Sequence, residues 1–151
     1  MERNLRETLG LMREIYRGYK AEMAAVAAYT YGQILFEKHY PALSDLLATI
    51  ARAEMRHYHT LGALLRELGA SHALKITLQD FAYRNGQEPD SVVQQYLKDR
   101  IRYEKSAADH YRRLCLSAAT EEAKQALLML ARDEEEHAAA LEATLLRLSA
   151  S

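Results

Sequence analysis

The chain has 151 residues, 49% of them apolar, and its 20 Lys and Arg nearly balance 21 Asp and Glu for a net charge of −1. That length suits one domain over residues 1–151 with a sizeable core, and the balance leaves no general field to attract nucleic acid or an anionic membrane. A single cysteine, Cys115, excludes a disulfide framework and any cysteine-based zinc or rubredoxin-type site within the chain.

Helix formers dominate, and the pattern predicts an all-α chain. The first helix is expected from Asn4, a capping residue, to about Lys38. Pro41 fits the first turn of a second helix, where its missing N–H costs nothing. That helix should stop near Leu68, with Gly69 at its end. Residues 70–89 read as a long connection, with a short helix over 78–85 ending at Gly86. A third helix is expected from the caps Asp90 or Ser91 to Ser117. Thr120 should cap a fourth helix, whose Glu121 and Glu122 suit its positive end and which runs to Leu148. Short links between helices one and two, and three and four, predict two antiparallel hairpins joined by a crossover: a four-helix bundle. Cys115, in an apolar helical stretch, reads as a buried small hydrophobe.

The seams of these helices are interrupted by polar residues. In the second helix Leu43, Leu47, Ile50, Leu61, Leu64 and Leu68 fall at helical steps, and Glu54 and His57 fill the gap. In the fourth, Glu134 and His137 fill the same gap between Leu130 and Leu141, which sets Glu134 apart from the off-seam Glu135 and Glu136. The first helix carries Glu22 alone on its stripe with Ile15, Tyr19, Val26 and Tyr29. The third carries Glu104 with Val93, Leu97, Tyr111 and Leu114. Counted from the hairpin loops at 1.5 Å per residue, the paired acids lie within ~3–5 Å in height. The Glu22–Glu54 spacing of 32 residues is echoed by the 30 between Glu104 and Glu134.

Taking an ionised carboxylate out of water costs several kcal/mol even after relaxation, and a domain's whole stability is ~5–15 kcal/mol. Four in one core must therefore be protonated, hydrated or neutralised. Two divalent cations match four carboxylates in charge, and two neutral imidazoles add ligands without adding charge. An oxygen-rich, nitrogen-poor set suits two iron or manganese ions; zinc usually prefers four-coordination with fewer ligands. The bland alternative is a hydrated polar cluster. Tyr29 and Tyr111 each stand seven residues after a Glu on the same seam, either as catalytic phenols facing an oxidant or as core tyrosines with satisfied hydroxyls. Asp133, four residues before His137, reads first as a surface acid and otherwise as a partner that orients that imidazole. His39, His59, His72 and His110 read as surface or packing residues.

At Tyr19-Lys-Ala-Glu22, Ala53-Glu54-Met-Arg-His57, Tyr103-Glu104-Lys and Asp133-Glu134-Glu-Glu-His137-Ala the chain resembles the ferritin-like superfamily and, within it, the rubrerythrin branch. The resemblance covers residues 5–148. It implies that Glu54 and Glu134 bridge two irons, with Glu22 and His57, and Glu104 and His137, as terminal ligands. It implies an oxidoreductase that reduces H2O2 or O2 in an oxidative-stress role, as a homodimer supplied by an external electron donor of rubredoxin type. Two positions depart from the pattern. Ala107 stands where those proteins carry a further carboxylate, and no cysteine-rich rubredoxin segment follows the fourth helix. Other expectations of the same site are iron oxidation and storage, manganese catalase-like chemistry, and a non-catalytic metal-binding bundle. The polar start, MERNLRETLG, lacks an apolar signal core, and no apolar run nears the ~18 residues of a membrane span; a cytoplasmic protein is expected.

Overall fold

The computed structural model describes residues 2–17, 21–73 and 89–150. Among them the chain is helical: α1 (Glu2–Arg17), α2 (Glu22–Phe36), α3 (Pro41–Glu67), α4 (Pro89–Leu116) and α5 (Glu121–Ala150). The pairs α2–α3 and α4–α5 pack along their lengths as two hairpins, and α1 packs across α3 and α4. The architecture is the all-α bundle that the seams predict.

The expected first helix is corrected. The helix expected from Asn4 to Lys38 is two helices, because Ala21 is extended (φ −99°, ψ 177°). An extended residue cannot continue the i→i−4 ladder. Its carbonyl instead accepts the N–H of Ala25 at 3.0 Å and starts α2. The sequence holds a warning in Gly18, since glycine inside a helix costs about 1 kcal/mol relative to alanine. The break leaves Glu22 in the first turn of α2, where the unpaired N–H groups favour an acid. Tyr19 lies outside the described residues, as do most of the 70–89 connection and its expected short helix over 78–85.

The other boundaries follow from their caps. Pro41 opens α3. Gly69, with φ +68°, closes it. The N–H groups of Gly69 and Ala70 reach back to the carbonyls of Arg66 and Leu65 at 3.0 and 2.9 Å, a pairing that needs the left-handed conformation glycine adopts freely. Thr120 Oγ1 accepts the N–H of Ala123 at 3.1 Å at the head of α5. α4 starts at Pro89, ahead of the expected Asp90 or Ser91, since a first-turn residue needs no N–H.

The core is split in two. Met12, Ile15, Tyr16, Leu61, Leu65, Tyr111, Leu114 and Leu127 fill one part. Tyr29, Phe36, Leu47, Ile50, Val93, Tyr96, Leu97 and Leu141 fill the other. Ala107, at the position of the missing carboxylate, is buried in the first. Cys115 is only partly buried, against the expectation of full burial. Its thiol points at the carbonyl of Lys124 at 3.7 Å, and burial raises its pKa. No helix among the described residues is long and apolar enough to cross a membrane.

Two glycines should respond in opposite directions to alanine. A Cβ at Gly32 would overlap the Tyr96 hydroxyl and lie 2.8 Å from Leu47 Cδ1, and Tyr96 is held by its bond to the Ala28 carbonyl at 2.8 Å. Gly32→Ala should therefore cost about 1–3 kcal/mol by overpacking. A Cβ at Gly10 meets nothing within 4 Å, so Gly10→Ala should add about 0.5–1 kcal/mol. Urea unfolding followed by circular dichroism reads both, and equal midpoints for the two variants would contradict this packing.

Candidate metal centre

Between the two apolar clusters lies a polar layer. Glu22, Glu54, Glu104 and Glu134 have no exposed surface, and His57 is 2% exposed. They come from α2, α3, α4 and α5, and helical steps aim each at the bundle axis. The structure brings all six residues of the sequence pattern together. Glu22, Glu54, His57 and Glu134 form one group with ligand-type atoms within 4.8 Å of one another; Glu54, Glu104, Glu134 and His137 form a second. Glu54 and Glu134 belong to both.

The distances sort the atoms further. His57 Nδ1 lies 2.6 Å from Glu134 Oε1, 3.6 Å from Glu54 Oε2 and 3.7 Å from Glu22 Oε2. His137 Nδ1 lies 3.3 Å from Glu54 Oε1, 3.6 Å from Glu104 Oε2 and 3.7 Å from Glu134 Oε2. Glu54 and Glu134 thus turn one oxygen to each half. All eight atoms are buried and none makes a well-aligned hydrogen bond, although His57 Nδ1 and Glu134 Oε1 are in ion-pair contact. Buried polar atoms are almost always paired, so eight such atoms converging on two points form a donor set that could hold two cations. Each half offers three oxygens and one nitrogen, which suits a divalent first-row metal.

The outer oxygens are not orphaned. The Tyr111 hydroxyl donates to Glu22 Oε1, and the Tyr29 hydroxyl donates to Glu104 Oε1. Each tyrosine serves the glutamate of the opposite hairpin, and each leaves the inner oxygen of that glutamate to the cluster. Burial raises both phenols well above their usual pKa, so they keep their protons. Asp133 does not reach the imidazole on its own helix. Its Oδ2 sits 2.9 Å from Nε2 of His57, on the other hairpin. Glu135 and Glu136 are exposed, as the seam predicts. Glu135 meets Arg112 at 2.6 Å. His39, His59 and His72 are exposed and His110 is half-buried, all apart from the cluster.

Sequence reasoning missed Arg100. Its guanidinium carbon lies 5.6 Å from the Tyr29 ring centre and 5.2 Å from that of Tyr103. A cation on a ring face strengthens the ring's hydroxyl as a donor, here toward Glu104. The available signal was spacing: Arg100 is one helical turn before Glu104.

Without cations the layer must hold protons. Burial, and then repulsion from Glu54, push the Glu22 carboxyl well above its ordinary pKa. Burial alone would lower the imidazoles, but the carboxylates around them win. His57 is raised, and His137 is raised to about 9, chiefly by Glu134 and Glu54.

The family model described as Rubrerythrin matches residues 15–145. No curated protein and no solved structure matches the chain.

The protonation pattern has a measurable consequence. A raised imidazole stabilises the metal-free fold fully below its unfolded pKa, near 6.5, and for His137 that support fades as pH rises through about 9. Cations must displace the same protons, so their affinity should climb across that window. Loading the metal-free protein at neutral pH should release about two to three protons, one from each imidazole and one from the raised Glu22 carboxyl. Competition titrations with Zn(II) or Mn(II), alongside proton release in weak buffer, read this. An affinity flat between pH 6 and 9 would refute it.

Proposed function

The chain belongs to the rubrerythrin family, and from that premise and the cluster's geometry we propose that it holds two iron ions and reduces hydrogen peroxide with electrons from an external donor. The observation that carries the reading is the set of eight buried ligand atoms divided evenly between two points. Glu54 and Glu134 would bridge. Glu22 and His57 would complete one position, Glu104 and His137 the other. Two ions held this way supply one electron each when bound, which matches the two-electron balance of H2O2 + 2e⁻ + 2H⁺ → 2H2O.

The protein's own part is to position, to exclude water and to hold protons. The apolar clusters on either side keep bulk water from the carboxylates and so strengthen every charge interaction among them. Tyr29 and Tyr111 fix the terminal glutamates and keep an O–H at each outer oxygen. Their catalytic role in this reading is to hold a proton beside each half of the cluster, next to the reacting centre. The charge balance of the layer supports divalent ions, and the oxygen-rich donor set favours iron or manganese over zinc. A rubredoxin-type donor, a homodimer and a cytoplasmic oxidative-stress role are part of the same proposal.

Metal analysis after anaerobic Fe(II) loading should find two ions per chain. Stopped-flow mixing with H2O2 should then oxidise them faster than mixing with O2. Tyr29→Phe and Tyr111→Phe should each retain iron but slow the peroxide reaction by about 10–100-fold, the usual scale for removing an outer partner of a ligand. Less than one iron per chain sinks the central claim. Faster reaction with O2, with iron accumulating beyond two per chain, would assign iron oxidation and storage instead.

A further inference from the structure

The two hairpins repeat one another around the cluster. Glu22, Tyr29, Glu54 and His57 correspond in order to Glu104, Tyr111, Glu134 and His137, and both tyrosines cross to the opposite hairpin. Apart from Arg100, which has Gly18 as its counterpart, the repeat fails next to the imidazoles. Asp133 precedes Glu134, but Ala53 precedes Glu54. Asp133 reaches across to His57 Nε2 at 2.9 Å. The corresponding methyl of Ala53 has no acceptor to offer His137. The halves also differ in burial: the His57 side chain is 3% exposed and that of His137 is 14% exposed.

We propose that the two metal positions are unequal by construction: the one served by Glu22 and His57 fills first and holds its ion more tightly, and Asp133 is the positioning residue responsible. This inference rests on the two-metal reading above. The physical reason lies in the imidazole. A histidine that ligates through Nδ1 carries its proton on Nε2. An acceptor at Nε2 fixes that tautomer, locks the ring and makes Nδ1 a stronger donor. His57 has that acceptor from Asp133. Among the described residues His137 has no such acceptor to fix its tautomer and ring angle, and more water is at hand to compete for its ion.

One feature opposes this order. Glu22 stands in the first turn of α2, whose positive end disfavours a nearby cation. A helix end shifts an equilibrium by about two- to fivefold at an exposed site and up to about thirtyfold at a partly buried one. Loss of an outer partner typically costs a metal site about 10–100-fold, and the lower exposure of His57 adds to it, so the balance favours the Glu22–His57 position.

Titration of the whole metal-free chain with Mn(II), followed by calorimetry and electron paramagnetic resonance, tests this without turnover. Two resolved steps are expected, with dissociation constants about 10–100-fold apart. One equivalent should give the signal of an isolated ion, and the second should replace it with that of a coupled pair. His137→Ala should keep the first step, and His57→Ala should lose it. Asp133→Ala makes the halves alike at this position. It should weaken the first step by about 10–100-fold, so that the two steps merge. Its side chain is 44% exposed, so the fold should tolerate the change, and the melting of the metal-free variant checks that. Should the variant fail to fold, the histidine pair and the parent titration still decide. Paired binding with no one-ion stage, or an unweakened first step in folded Asp133→Ala, overturns the inference while leaving the two-metal reading intact. Failure of the parent chain to bind any Mn(II) or Fe(II) defeats that reading itself.

Discussion

Four carboxylates with no exposed surface sit at one level of a helical bundle, and the rest of the molecule answers to that placement. Left ionised and alone, such groups cost several kcal/mol each, which is comparable with the net stability of a domain this size. Protons on Glu22, His57 and His137 meet the demand in the metal-free chain, and cations would meet it with better matched charge. The apolar clusters on either side do more than hold helices together. They keep solvent out of the layer, and so preserve the demand.

Geometry then divides Glu22 and Glu104 into two ends each. The outer oxygen takes a phenol hydroxyl from the opposite hairpin, and the inner oxygen stays unpaired. The pair common to both groups, Glu54 and Glu134, has no such partner among the described residues and offers both oxygens inward. A hydrogen-bond inventory thus separates the carboxylates of one group, Glu22 and Glu104, from those common to both. Arg100 adds a cation over the Tyr29 ring, beside Glu104 only.

Much of this was legible in the sequence because helical periodicity maps residue spacing directly onto direction. Glu54 and His57 replace leucines in a seam, so their inward aim followed from counting, as did the exposure of Glu135. The hairpin arithmetic placed four acids at one height for the same reason. What escaped depends on contacts between helices distant in sequence. The partner of Asp133 is His57 on another hairpin, not His137 one turn away, and no spacing rule reaches across 76 residues. Arg100 was missed because its partners are ring faces, which leave no mark in a polar/apolar pattern. The break at Ala21 was missed because the apolar stripe resumes beyond it, and Gly18 alone is a weak signal against a strong periodicity.

The crossed tyrosines carry a mechanical consequence. Glu22 is tethered from α4 and Glu104 from α2, so each bond spans the gap between the hairpins. A hydrogen bond loses strength steeply once its partners part or tilt beyond its narrow geometry. If the hairpins slid or spread by about an ångström, both phenols would let go of their carboxylates together. The outer oxygens would then be free to swing inward as additional donors. The two bonds therefore tie the aim of Glu22 and Glu104 to the spacing of the hairpins that carry their tyrosines.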